Sequence, residues 1–214
     1  TYVNTTADVK AACDITCTSS NASQVVEHVA KEWNTDTVIF VPDQYLAQNV
    51  AVMTGIKILT WPGACEVHEL FGADDVNELR DAHPGVVILA HPECPADVLE
   101  AADYAGSTAA LSNFVSERQP AKVVLLTECS MSDNVASENP EVEFVRPCNL
   151  CPHMKRITLE NIYECLRDET NEVLVPEAMR KRAFKAVMDM INVKFDPVKG
   201  HFDPSLPEVE VKII

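Results

Sequence analysis

Five short runs of apolar, mostly β-branched residues recur along the chain: VIFV (38–41), IKIL (56–59), VVIL (86–89), VVLL (123–126) and VEFV (142–145). Between them lie stretches whose apolar residues return at helical spacing, such as ASQVVEHVAKEW (22–33) and ADVLEAADYA (96–105). This alternation predicts an α/β protein. Runs with so few polar breaks predict strands buried on both faces, hence mainly parallel sheets with helices on either side, a three-layer α/β/α arrangement.

The pattern also repeats. A shift of 89 lays Tyr2 on His91, Asn4 on Glu93, Asp8 on Asp97, Cys17 on Gly106 and Thr18-Ser19 on Ser107-Thr108. A shift of 85 lays Asp43 on Glu128, Asn49-Val50-Ala51 on Asn134-Val135-Ala136 and Pro62 on Pro147; one inserted residue later Cys65 meets Cys151. Each unit reads as strand, polar loop, helix, hydroxyl-rich turn, helix, strand, acidic turn, short helix, strand and then Pro followed by Cys. Repeated units predict pseudo-symmetry. Ligands in parallel α/β sheets bind beyond the carboxyl ends of strands, where Tyr2, Asn4, Asp43, Cys65, His91, Glu93, Glu128 and Cys151 all fall.

After residue 154 the repeat stops. Thr158 reads as the N-cap of a helix, EVLVP (172–176) as a short apolar strand, and PEAMRKRAFKAVMDMI as a helix with Pro176 at or near its first position. The proline-rich stretch 193–214 reads as a loose tail. The opening TYVN reads as the last residues of a strand whose beginning lies outside the chain.

Composition narrows the chemistry. The chain has 214 residues, net charge −16, a pI of about 4.6 and a mean hydropathy of −0.03. Such an acidic balance opposes nucleic-acid and anionic-membrane partners. No apolar run is long enough to cross a bilayer, and no signal-like segment opens the chain, so a cytoplasmic protein is expected.

Eight cysteines in a reducing compartment point to metal, redox or burial. Cys13 and Cys165 lie among helix formers and read as small buried hydrophobes. Cys65, Cys94, Cys148 and Cys151 stand beside or near prolines just after apolar runs, on loops. Zinc would take Cys65-x-x-His68 with Cys148-x-x-Cys151. An iron–sulfur cluster would take thiolates and leave one iron open to substrate, its third cysteine coming from a further copy of the unit. The residues alone leave both open. Asn4, Ser19, His91, Glu93 and Thr108 read as a polar cleft with acid/base capacity, or else as ordinary turn caps, a satisfied strand-end histidine and a solvated glutamate. Cys17, facing a glycine in the repeat, reads as structural.

The blocks YVNTTADVKAACDITCTSSNA (2–22), WPGACEVH (61–68), HPECP (91–95), ADYAGST (102–108) and CNLCPHMKRITLEN (148–161) resemble the quinolinate synthase (NadA) family over residues 2 to about 192. The resemblance implies three α/β units about a pseudo-threefold axis, with one cysteine of each holding a [4Fe-4S] cluster that acts as a Lewis acid. Residues 1–64 would be the second unit with its start truncated, 65–150 the third, 151–192 a helical segment packing on the first unit, which this chain lacks, and 193–214 a flexible tail. Cys65 and Cys151 would be metal ligands and Cys148 an auxiliary thiol. Tyr2, Asn4, Ser19, His68, His91, Glu93 and Thr108 would contact substrate, with Glu93, His91 and Tyr2 catalytic. The implied reaction condenses iminoaspartate with dihydroxyacetone phosphate to quinolinate in NAD biosynthesis, downstream of L-aspartate oxidase. Glu66 stands where the family more often has proline. A truncated, inactive relative and a zinc-stabilised α/β binding module are the alternatives.

Overall fold

The computed structural model describes residues 1–147 and 149–194, and the backbone of 211–213. All five apolar runs form strands within one residue of their expected ends: β1 (Thr37–Phe40), β2 (Lys57–Thr60), β3 (Val87–Ala90), β5 (Lys122–Leu126) and β6 (Glu143–Val145). The helices between them are α1 (Ala7–Ala12), α2 (Ala22–Glu32), α3 (Gln44–Thr54), α4 (Ala73–Ala82), α5 (Ala96–Ala101), α6 (Thr108–Arg118) and α7 (Cys129–Glu138). The stretch 96–105 is not one helix throughout. It ends at Ala101, and Tyr104–Ala105 form a two-residue strand, β4, because Asp103 turns the chain by accepting from Ile88 N (2.7 Å).

Both sheets are parallel, with orders β4-β3-β5-β6 and β1-β2-β7, where β7 is Val211–Ile213. Part of the expected tail is thus a strand, paired from Ile58 on Val211 to Thr60 on Ile213; residues 195–210 lie outside the described residues. In the larger sheet, side chains alternate between two cores. Ile88, Ala90, Val124 and Leu126 face Val76 of α4 and Val98 and Leu99 of α5. Leu89, Val123 and Leu125 face Leu111, Val115 and Val135 of α6 and α7. Each such buried Val, Leu or Ile side chain contributes about 1.5–3 kcal/mol. In the smaller sheet Val38, Phe40 and Ile58 meet α2 and α3, whereas Ile39 on the opposite face is 62% exposed.

The repeat is written into the hydrogen bonds. Tyr2 N donates to Val41 O (3.3 Å) as His91 N donates to Leu126 O (3.2 Å), and Cys17 N to Thr1 O (2.8 Å) as Gly106 N to Ala90 O (3.0 Å). Gln44 N to Gly63 O (2.8 Å) matches Cys129 N to Asn149 O (3.1 Å). Gly106 differs from its counterpart Cys17 for a steric reason: a Cβ there would lie 2.9 Å from Ala110 Cβ and 3.0 Å from the Tyr104 ring.

The C-terminal part departs from expectation in two ways. EVLVP forms no strand, and Val173 and Leu174 are exposed, since no sheet edge meets them among the described residues. Cys13 and Cys165 are half-buried, Cys165 because α8 (Leu159–Asp168) leaves its apolar side, including Leu159, Ile162 and Leu166, exposed. One side of α9 (Glu177–Asn192) packs on α1: Ala183 and Ala186 are buried, and Thr16 N donates to Ala186 O (3.0 Å).

One buried side chain ties the two units together. Asn49 of α3 donates from Nδ2 to Pro92 O (2.7 Å), in the turn after β3. Asn49→Ala leaves that carbonyl buried and unpaired, and a loss of about 1–3 kcal/mol is expected in chemical denaturation. A change below a few tenths of a kcal/mol would show that the contact carries no load.

Candidate active site

The strand ends of both units meet in one buried polar cluster. β3 delivers His91 and Glu93, closed into a turn by Cys94 N donating to His91 O (2.9 Å). The loop from Trp61 to Gly72 is pinned by buried Val67 and Phe71 and by Glu69 N donating to Cys65 O (3.0 Å), which sets His68 and Cys65 toward Glu93. The rings of His68 and His91 stack with centroids 4.4 Å apart. His68 Nδ1 lies 3.1 Å from Glu93 Oε2, a charge contact without hydrogen-bond alignment, and His68 Nε2 lies 3.0 Å from Thr127 Oγ1. Glu93 Oε1 is buried and has no hydrogen-bond partner among the described residues. Tyr2 comes from the unit formed by residues 1–64, its hydroxyl facing Ser19 and Glu93.

Burial and charge sort the protonation states. Burial alone would lower His68, but the Cys65 thiol and the Glu93 carboxylate outweigh it and push it up to about 9, so it is an imidazolium at neutral pH. Burial, then the His68 charge beside it, push His91 down to about 3, leaving a neutral ring. Because His91 Nδ1 accepts from Glu93 N (3.3 Å), its proton sits on Nε2. Burial would raise Glu93, yet the charged His68 ring beside it holds its carboxyl below the usual carboxylate range. Tyr2 stays a phenol through burial first and the Glu93 charge second. The result is one buried anion, one cation and two neutral donors, a set able to take and return protons.

Two half-buried thiols stand at the rim on neighbouring loops. The Cys65 and Cys151 loops are joined by Glu66–His153 (2.9 Å) and by Asn149 Nδ2 donating to Val67 O (3.4 Å). Glu66 is thus one half of the side-chain contact that joins them. Donor atoms of Cys65, His68 and Glu93 lie within 4.8 Å of one another, close enough for a metal ion. Cys17 is buried and pushed up to about 12 by that burial, and Cys94 is buried with its thiol held against Leu126 O (3.6 Å); both are inert core residues. Cys148 lies outside the described residues.

The structure therefore brings together Tyr2, Ser19, Cys65, His68, His91 and Glu93. Asn4 and Thr108 are exposed and join none of these contacts. Thr108 opens α6, behind Ser107, whose hydroxyl caps that helix through Ala110 N (3.3 Å). Sequence reasoning missed Thr127, the buried partner of His68. Its place directly after β5 was the available signal, since every residue at a strand's carboxyl end is a candidate.

A family model described as Quinolinate synthetase A protein (NadA) matches residues 1–192. The chain is 57% identical over 203 residues to a quinolinate synthase of Caulobacter vibrioides, covering 95% of this chain and 55% of that protein. It is 58% identical over 193 residues to a quinolinate synthase of Agrobacterium fabrum (90% of this chain, 55% of that protein) and 56% identical over 193 residues to one of Xylella fastidiosa (90% and 56%). The chain thus spans about half the length of the curated relatives it matches. Among the described residues no helix is long and apolar enough to cross a membrane.

Proposed function

Because the chain belongs to the quinolinate synthase A (NadA) family, we propose that it forms two of the units of a quinolinate synthase, the site of condensation of iminoaspartate with dihydroxyacetone phosphate. The observation that carries this reading is the buried Tyr2–Glu93–His68–His91 cluster set against Cys65 where strand ends of both units meet. Forming the pyridine ring requires loss of phosphate and water and several proton shifts, and each shift needs a positioned acid or base.

The residues fit an iron–sulfur cluster in donor chemistry. Cys65 and Cys151 are half-buried thiols on joined loops, and the carboxylate of Glu93, one oxygen of which is buried without a hydrogen-bond partner among the described residues, lies within ligand reach of Cys65. Cys65 and Cys151 would hold the cluster, with a further thiolate supplied from the length of the relatives that this chain does not span. When bound, it would supply a Lewis acid to substrate oxygen or nitrogen. Glu93 takes the proton from substrate carbon, its charge steadied by His68. His91, neutral and protonated at Nε2, donates a hydrogen bond to a substrate carbonyl or carboxylate, and the Tyr2 phenol donates from the opposite unit. Ser19 beside Tyr2, and Asn4 and Thr108 on the exposed rim, orient carboxylate or phosphate groups. Iminoaspartate comes from an enzyme that oxidises aspartate, such as L-aspartate oxidase, and the pathway is expected to be cytoplasmic.

The test is anaerobic iron and sulfide content, with the visible spectrum near 400 nm and quinolinate formation, on this chain and on the protein at the length of its relatives. Iron, sulfide and quinolinate in the longer protein are the expected result. Zinc in place of iron in both would overturn the cluster reading and assign Cys65 and His68 to a zinc-stabilised module.

A further inference from the structure

We infer that Asp43 and Glu128 are a matched pair of positioning residues, each fixing the loop that presents one thiol by bridging a helix N-terminus to the backbone N–H of Cys65 or Cys151. Asp43 accepts from Leu46 N at Oδ1 (2.9 Å) and from Cys65 N at Oδ2 (2.7 Å). Glu128 accepts from Ser130 N at Oε2 (2.8 Å) and from Cys151 N at Oε1 (3.3 Å). Both carboxylates are buried, 4% and 7% exposed, and the bonds span 22 and 23 residues.

Capping alone does not account for this pair. An N-cap needs one acceptor, which Ser or Asn supplies as well as Asp without a buried charge. What a carboxylate adds is a second acceptor, and in both units that acceptor goes to the cysteine of the following loop. Aspartate reaches the third residue of its helix and glutamate only the second, yet the longer side chain still ends on the cysteine amide. The cysteine bond is the shared feature; the capping detail is not.

The inference rests on the reading that these thiols hold the cluster, but it is measured without one. Asp43→Ser retains a capping hydroxyl and removes the second acceptor. In the metal-free chain, amide exchange at Cys65 and alkylation of its thiol by iodoacetamide are expected to quicken about tenfold, with Cys151 unchanged. Glu128→Ser should do the reverse, quickening Cys151 and sparing Cys65. If a serine variant does not fold, Asp43→Asn and Glu128→Gln, each with one acceptor oxygen in place of two, are read the same way. In the longer protein, each variant should lose iron to a chelator faster than its parent. Equal changes at both cysteines, or none at either in a folded variant, would overturn the inference. Site-specific changes in a protein that binds no iron would sustain it and sink the cluster reading instead.

Discussion

Glu93→Gln is expected to lower quinolinate formation by about two to four orders of magnitude while leaving iron content unchanged. The substitution preserves shape but removes the buried anion that faces His68, Tyr2 and the stacked His91. A glutamine neither accepts a proton from substrate carbon nor keeps His68 charged, so both halves of the acid–base pair fail together. Because Glu93 Oε1 bonds to nothing among the described residues, the backbone turn from His91 to Cys94 has no reason to move. The measurement is single-turnover quinolinate yield with iron analysis on the same sample, in the protein at its relatives' full length. Normal turnover would remove Glu93 from the chemistry.

The second large effect is expected from Cys65→Ser and Cys151→Ser, each of which should reduce iron and sulfide to background. Serine keeps the amide that Asp43 or Glu128 binds, so the loops stay in place and only the thiolate is lost. A hydroxyl is a poor substitute for a soft thiolate ligand on iron. Cys17→Ser and Cys94→Ser serve as contrast, for these thiols lie in the core and face carbonyls or apolar groups. Full iron in a Cys65 or Cys151 variant would contradict the ligand assignment.

Much of this arrangement was legible in the residues. The five strands could be read because parallel strands buried on both sides leave long apolar runs, and the repeat could be read because Asp43/Glu128 and Cys65/Cys151 recur at nearly one spacing. Two kinds of feature were hidden. β4 has two residues, too few to show a period, and is fixed by partners such as Asp103 and Ala90. Val173 and Leu174 carry a strand's composition but meet no edge among the described residues, so composition without a neighbour misled. At the site, Tyr2, Ser19, His68, His91 and Glu93 were named from motifs. Their protonation was not legible, because the difference between a charged His68 and a neutral His91 arises from which ring meets the carboxylate and which is sealed behind it.

The matched backbone bonds under Tyr2 and His91 also bear on how such a protein changes over generations. Each residue hangs from the same ladder position, by its own N–H to the end of the neighbouring strand, so its side chain owes nothing to the ladder. A duplicated gene inherits two identical sockets there. One holds a phenol and the other an imidazole, so the frame fixes where a side chain stands and leaves its chemistry to the codon.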